Sequence, residues 1–173
     1  MQMEERNLSV KSGIYVIRQL EESEFLLYKD MRLEALKVEP AMFRVTVPPE
    51  TEITDNEWQE RIKEPRAVFG LYAEDVLIGI TSIILLDHEE AYLGQSYIKK
   101  VHRGKGLSSL FYKIRMDWAL AKRLKRIRVS HRESNLASKA ANQKFGFRYT
   151  HTEPCKWQDG HSEDVLYYVL DLI

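Results

Sequence analysis

The chain has one cysteine, Cys155, in 173 residues, which excludes an internal disulfide and a thiolate-rich metal site. Beside Pro154 it reads as a strand or turn residue rather than a nucleophile. Long apolar runs are missing too. The most apolar stretch, VLIGITSIILL from Val76 to Leu86, is too short to span a bilayer and is interrupted by Gly79, Thr81 and Ser82. The opening MQMEERNLSV has no apolar core of the secretory type, which predicts a cytoplasmic protein. Neither charge sign is in surplus: 26 Lys plus Arg balance 26 Asp plus Glu. No global field therefore draws the protein to nucleic acid or to an anionic membrane, and any anion site must be local. There is no internal repeat, low-complexity tract or Pro/Gly/Ser linker, so residues 1–173 read as one domain.

What is present is an ordinary globular composition, 44% hydrophobic and 30% charged. IYVIRQL, Ile14 to Leu20, alternates as a strand. Glu21 to Lys37 sets Phe25, Leu26, Leu33 and Leu36 on one helical face. After Pro40, Pro48 and Pro49, Thr54 and Glu57 stand in capping-box spacing at the start of a short helix that ends before Pro65. Three strands follow, Ala67 to Ala73, Val76 to Leu86 and Ala91 to Val101, separated by polar turns. A helix from Gly106 to Arg123 carries Leu107, Leu110, Phe111, Ile114, Trp118 and Ala121 as a core stripe. A strand at Ile127 to His131 leads to a helix capped by Ser134 or Asn135 and stopped at Gly146. Strands Phe147 to Thr152 and Asp164 to Leu172 flank the turn residues Asp159 and Gly160. This order predicts a sheet with helices on its faces.

The stretch VHRGKGLSSLF, Val101 to Phe111, runs from a strand into a helix through two glycines. Glycine lets the main chain approach a ligand closely, and a helix N-terminus offers free N–H donors and a partial positive charge. With Arg103 and Lys105 beside them, Gly104 and Gly106 form a candidate pyrophosphate cradle. A two-glycine strand-to-helix turn is as readily a purely structural device. Two commoner phosphate motifs fit badly. Neither glycine is followed by Lys-Ser or Lys-Thr at P-loop spacing, and Ser109 occupies the place of the third glycine of a dinucleotide fingerprint.

The residues Tyr97 to Ser108, YIKKVHRGKGLS, resemble the acyl-CoA signature of the GNAT acyltransferase superfamily. That signature is an aromatic-aliphatic pair ending a strand, a basic residue or glutamine, x-x-G-x-G or A, and a helix. NLASKAANQKFGFRY, Asn135 to Tyr149, is similar to the family's second element, an asparagine opening a helix that ends in Gly-Phe before a strand. The resemblance extends over nearly the whole chain, from Ile14 to Leu172. It implies an α/β fold with a mixed, mostly antiparallel central sheet of about six or seven strands flanked by about four helices. It also implies acetyl-CoA as co-substrate, with no metal. Carried over position by position, Ser96, Tyr97 and Ile98 would offer backbone groups to the pantetheine arm. Arg103, Gly104, Lys105, Gly106, Leu107, Ser108 and Ser109 would hold the pyrophosphate, and Asn135, Ser138 and Lys144 would face the far side of the pantetheine and the phosphates. Two positions depart from the pattern. Ser108 stands where the family has glycine or alanine. Asn142 stands where many members place a tyrosine that protonates the departing thiolate; an amide can donate a hydrogen bond there but is no acid.

An acyl-CoA thioester is already activated, so the remaining work is to align an amine and remove its proton. An alkyl amine of pKa near 10.4 is neutral only about once in a few thousand molecules at pH 7, so a base is useful. The strand before the glycine turn offers Glu89, Glu90 and Tyr92, of which Glu90 and Tyr92 share a face. His88 falls in a turn, His102 in the glycine-turn loop reads as exposed rather than catalytic, and His131 at a strand end is a minor candidate. Acceptor selection falls to the segments Val38 to Asp55 and Glu153 to Glu163, with Arg32, Glu34 and Trp157 as candidate entrance residues. The basic run KRLKRIR, Lys122 to Arg128, straddles a helix C-terminus, where cations suit the dipole, and this outweighs a nucleic-acid reading. The expected activity is acetyl transfer to a primary amine of a small molecule, peptide or protein, with a homodimer left open. A non-catalytic acyl-CoA-binding regulatory module is the rival, motivated by Asn142 and the lack of one obvious base.

Overall fold

The computed structural model describes residues 8–172; the acidic opening residues 1–7 lie outside the described residues. Eight strands form one sheet in the order β1-β2-β3-β4-β5-β6-β8-β7, where the sequence predicted seven. They are β1 (Ser9–Ser12), β2 (Tyr15–Gln19), β3 (Arg66–Ala73), β4 (Val76–Leu85), β5 (Glu90–Ile98), β6 (Arg126–Arg132), β7 (Arg148–Glu153) and β8 (Val165–Asp171). The additional strand is β1, paired with β2 across Gly13 at φ +59°. Its sequence, SVKS, is too short and polar to carry an alternation signal. Every strand pair is antiparallel except β5 with β6.

Four helices, α1 (Phe25–Val38), α2 (Asp55–Arg61), α3 (Ser108–Ala121) and α4 (Leu136–Lys144), cover the sheet. Successive strand residues point to opposite faces, so AVFGLYA is apolar throughout because both its faces are covered. Ala67, Phe69 and Leu71 pack with Phe111, Ile114 and Trp118 of α3. Val68 packs with Tyr28 of α1 and Trp58 of α2. The fully buried Trp58 ring meets Tyr28 edge-on at 5.3 Å, so truncation to alanine would cost roughly 3–5 kcal/mol.

Three sequence expectations change. The buried face of α1 is Tyr28, Met31, Arg32 and Ala35; Leu26 is 49% exposed and Phe25, Leu33 and Leu36 are only partly covered. Helix α3 begins at Ser108 rather than Gly106, because Gly106 lies in the left-handed region at φ +72°. Its C-terminal stripe ends on Ala119, with Ala121 exposed. The basic run after α3 terminates the helix, Arg123 taking φ +58°. Its cations meet carboxylates: Lys122 with Glu64, Lys125 with Glu89, and Arg126 and Arg128 with Glu90.

One irregularity shapes the rest. Strand β5 pairs with β6 only from Glu90↔Arg126 to Tyr92↔Arg128, whereas β6 continues against β8 as far as Arg132. Beyond Tyr92 the two parallel strands separate. On the other edge of β5, a register shift opposite Ile80 and Ser82 accompanies Gln95 at φ +56°. The bulge bends β5 away from β6, and a cleft of about 710 Å³ opens between them.

Candidate active site

One end of the cleft is the glycine turn. Gly104 and Gly106 take φ +76° and +72°, and a Cβ built on either would meet no atom within 4 Å. The glycines are thus required by backbone conformation and leave open space above the loop. Among the described residues, the main-chain N–H groups of residues 104 to 108 meet no protein acceptor. Leu107 precedes α3 without a side-chain cap, so these donors face the cleft. Arg103 is tied down by Nε donating to Ile98 O at 2.7 Å and Nη1 to Glu39 Oε1 at 2.8 Å. Across the gap, Asn135 caps α4, its Oδ1 accepting from Ser138 N at 3.1 Å.

Of the residues expected from sequence, Ser96, Tyr97, Ile98, Arg103, Gly104, Gly106, Leu107, Ser108, Asn135, Ser138, Asn142 and Tyr92 line this one cleft. Four do not. Lys105 is exposed and donates to Tyr15 Oη at 3.3 Å. Ser109 Oγ turns back to Gly106 O at 2.7 Å. Lys144 lies at the exposed far end of α4, about 13 Å along the axis from Asn135 at 1.5 Å per residue. Glu90, at the start of β5, is not among the lining residues; it is engaged by Arg128 and Arg126, and these hydrogen bonds hold its carboxyl down to about 2, a poor proton acceptor at neutral pH.

The middle of the cleft is built from α3 and α4. Asn142 is 1% exposed; its Oδ1 accepts from Tyr112 Oη at 2.5 Å, and its buried Nδ2 has no partner among the described residues. An orphaned buried amide costs roughly 1–3 kcal/mol, so a ligand acceptor there would be favoured. Tyr112 stacks on Phe145 at 4.2 Å, and burial raises its hydroxyl pKa. Arg115, 3% exposed, donates to Phe111 O at 3.0 Å and to Ser82 O and Ser96 Oγ at 3.4 Å. Burial lowers it to about 10, so it stays charged at neutral pH.

The opposite mouth is where the two predicted acceptor segments meet. Val45 N donates to Lys156 O at 3.0 Å and Gln158 N to Phe43 O at 2.9 Å. Between them Arg44 reaches in, donating to Tyr92 Oη at 2.8 Å, to Tyr167 Oη at 3.1 Å, and to Ser130 Oγ, which also bonds Tyr92. Burial acts to lower the Arg44 pKa, but Tyr92 and Tyr167 outweigh it and the net direction is upward. Arg32 and Trp157 line the cleft as expected of entrance residues; Glu34 instead accepts from Tyr97 Oη at 2.9 Å and pairs with Lys99. His131 is buried and doubly engaged, by Arg132 O at 2.7 Å and Tyr168 Oη at 3.0 Å. A carbonyl only accepts, so Nδ1 carries a hydrogen, and neither ring nitrogen is free. The sequence reading missed Arg44, Arg66, Tyr112, Arg115, Ser130 and Tyr167. Only Arg115 had a signal, a cation set inside the apolar stripe of α3.

Among the described residues no helix is long and apolar enough to cross a membrane, and no group of His, Cys, Asp or Glu side chains is placed to hold a metal ion. No curated protein matches the sequence. Solved structures do match the fold. RimL, a ribosomal L7/L12 alpha-N-protein acetyltransferase in complex with coenzyme A, superposes with a TM-score of 0.74 at 15% identity, over 95% of this chain and 98% of that one. The ribosomal-protein-S5-alanine acetyltransferase from Vibrio fischeri gives 0.76 at 15% identity, over 95% and 97%. A GNAT family acetyltransferase from Elizabethkingia anophelis with acetyl-CoA bound gives 0.67 at 16% identity, over 93% and 100%. The family model for the acetyltransferase (GNAT) family matches residues 32–147, from α1 through the glycine turn to Phe147 after α4. With two thirds of its length inside that match, this chain belongs to the acetyltransferase (GNAT) family, whose acyl donor is acetyl-CoA.

Proposed function

We propose that this chain, acting as one domain in the cytoplasm, transfers the acetyl group of acetyl-CoA to a primary amine by direct attack within a ternary complex. The observation that carries this reading is the separation of β5 from β6 after Tyr92, which leaves a cleft with a glycine cradle at one end and an Arg44–Tyr92–Ser130 cluster at the other. The residues present fit the donor. The unpaired N–H groups of residues 104–108 suit a pyrophosphate, and the cleft edge of β5 at Ser96 to Ile98 has no partner strand, leaving main-chain groups for the pantetheine amides.

Bound there, the thioester supplies an activated acyl group. The chain's own work is alignment and proton handling. Tyr112 fixes the Asn142 amide through Oδ1, which leaves the unpartnered Nδ2 as the donor that would stabilise developing negative charge on the departing sulfur. A thiolate is a far better leaving group than an amide nitrogen, so a hydrogen bond in place of full protonation assists its departure. Tyr92, hydrogen-bonded to Ser130 at the acceptor mouth, takes the place left by Glu90 as the group that accepts or relays the amine proton. Two of the similar structures are acetyltransferases of ribosomal proteins by name, which favours a peptide or protein amine among the acceptors.

The test is thiol release from acetyl-CoA against amino acids, short peptides, polyamines and aminoglycosides, for the wild type, Gly106→Asp and Tyr92→Phe. Release that depends on one amine class, is lost in Gly106→Asp, and is slowed in Tyr92→Phe with partial recovery at high pH supports the proposal. Absence of turnover with every amine refutes it.

A further inference from the structure

Six arginines line the cleft, Arg32, Arg44, Arg66, Arg103, Arg115 and Arg132, and no aspartate or glutamate among the described residues does. Three are neutralised from outside it: Arg32 by Glu50 at 3.0 Å, Arg103 by Glu39 at 2.8 Å, and Arg132 by Asp159 at 2.7 Å and Glu163 at 3.1 Å. Arg44, Arg66 and Arg115 have no carboxylate. Arg115 sits beside Ser96, on the α3 face that serves the donor. The other two belong to the acceptor half. Arg66 pairs in register with Ile84, and Ile84 with Tyr92, so Arg66 and Tyr92 stand on one face two strands apart, about 10 Å between backbones. Arg44 meets the same Tyr92 hydroxyl from above. The Arg66 Nε is buried with no hydrogen-bond partner among the described residues, and the Arg44 guanidinium hydrogen-bonds only hydroxyl groups while lying over the Tyr167 ring at 5.3 Å.

A partly buried guanidinium without a counter-charge, one of its N–H groups buried and unpartnered in Arg66, favours a bound anion that supplies both. We infer that the acceptor is a primary amine carrying a carboxylate close to its nitrogen, held by Arg44 and Arg66 beside Tyr92. This deepens the acetyl-transfer reading and rests on it. A carboxylate accepts two parallel N–H bonds from an arginine, which would orient the amine toward the thioester, while polyamines and aminoglycosides would bring further cations against two unneutralised ones. The chemistry is shared by free amino acids and by peptide N-termini followed by acidic residues.

Steady-state rates with matched pairs test it: aspartate against its diamide, glycine against glycinamide, and the amidated peptides Ala-Asp-Ala and Ala-Asn-Ala, with spermidine as the cationic control. A hydrogen bond to a charged group being worth about one to two decades, each carboxylate-bearing acceptor should exceed its amide by roughly 10- to 100-fold in kcat/KM. The advantage should lie in KM, collapse in Arg44→Met and in Arg66→Met, and persist in part in Arg44→Lys. Relative rates of aspartate and Ala-Asp-Ala assign the source. Calorimetric titration with N-acetylaspartate gives a readout free of catalysis: binding to the wild type and its loss in Arg44→Met are expected. Turnover without discrimination between acid and amide, or with preference for spermidine, overturns this inference and leaves acetyl transfer standing. No turnover, but arginine-dependent binding of N-acetylaspartate, overturns acetyl transfer and the acceptor assignment with it, leaving only a carboxylate-binding site at Arg44. Neither turnover nor binding overturns both.

Discussion

Substitution at Gly106 separates the cradle from the scaffold. Its φ of +72° makes any Cβ cost roughly 1–2 kcal/mol, yet that Cβ would meet no atom within 4 Å. For a chain of this size the expected fall in Tm of Gly106→Ala is then only about 2–8 °C. The new methyl group, however, stands in the space the phosphates need, and Gly106→Asp adds a like charge. At about 5 Å from a phosphate oxygen, Coulomb's law gives about 3 kcal/mol at an effective dielectric near 20 and just under 1 in a water-like surround. The loop is solvent-edged, so acetyl-CoA should bind Gly106→Asp roughly 5- to 150-fold more weakly than the wild type. Gly79 is the control. A Cβ there would lie 2.6 Å from Tyr97 O and 3.3 Å from Ile98 Cα, so Gly79→Ala must push β4 from β5 and lose about 1–3 kcal/mol of stability. Titration calorimetry with acetyl-CoA and thermal melts of the three variants decide the matter. Wild-type affinity in Gly106→Asp together with a melt lowered beyond that of Gly79→Ala would show the glycine turn to be structural only, and the cradle argument would be wrong.

Asn142→Ala, which removes the unpaired Nδ2, should reduce kcat by roughly tenfold or more with the KM for acetyl-CoA nearly unchanged, in line with loss of one charge-stabilising donor; a pure KM effect would assign Asn142 to binding instead. Glu50→Gln strands the buried Arg32 and should cost about 3–5 kcal/mol, or roughly 6–20 °C in Tm, most of it recovered in the apolar double variant Glu50→Leu/Arg32→Met. The Glu90 carboxyl is depressed to about 2 in the folded chain, so its stabilisation is present above the unfolded carboxyl pKa near 4.3 and is lost as the pH falls through that value toward 2. Urea midpoints of Glu90→Gln should therefore fall less steeply over that window than those of the wild type, and its turnover at neutral pH should match the wild type, since Glu90 lies outside the cleft; slow turnover there would return Glu90 to the list of bases.

Local signals were the legible ones. Periodicity, the Thr54 and Asn135 caps and the Gly146 stop mark α2, α3, α4 and the seven strands other than β1, because each is set by residues a few positions apart. The face of α1 was misread. An apolar count favours Leu26, but the sheet beneath buries Tyr28, which reaches Gln95 at 2.6 Å. Strand β1 escaped because pairing with β2, not composition, makes SVKS a strand. In the site, the glycine turn and Asn135 were readable as motifs. Glu90 and Tyr92 share a strand and looked equivalent as bases, yet pairing β5 with β6 sets Arg126 and Arg128 against Glu90 while Tyr92 meets Ser130 and Arg44.

By itself the sequence determined the family, the order of elements and the candidate phosphate-binding end, since a glycine turn entering a helix is written in consecutive residues. Tertiary structure alone decided the proposed acceptor end. Arg44, Arg66, Tyr92, Ser130 and Tyr167 come from a loop and four strands far apart in the chain, and their common environment exists only once β5 and β6 have separated. Whether a charge is neutralised or left open to a ligand depends on which carboxylates fold against it, and that is a property of packing.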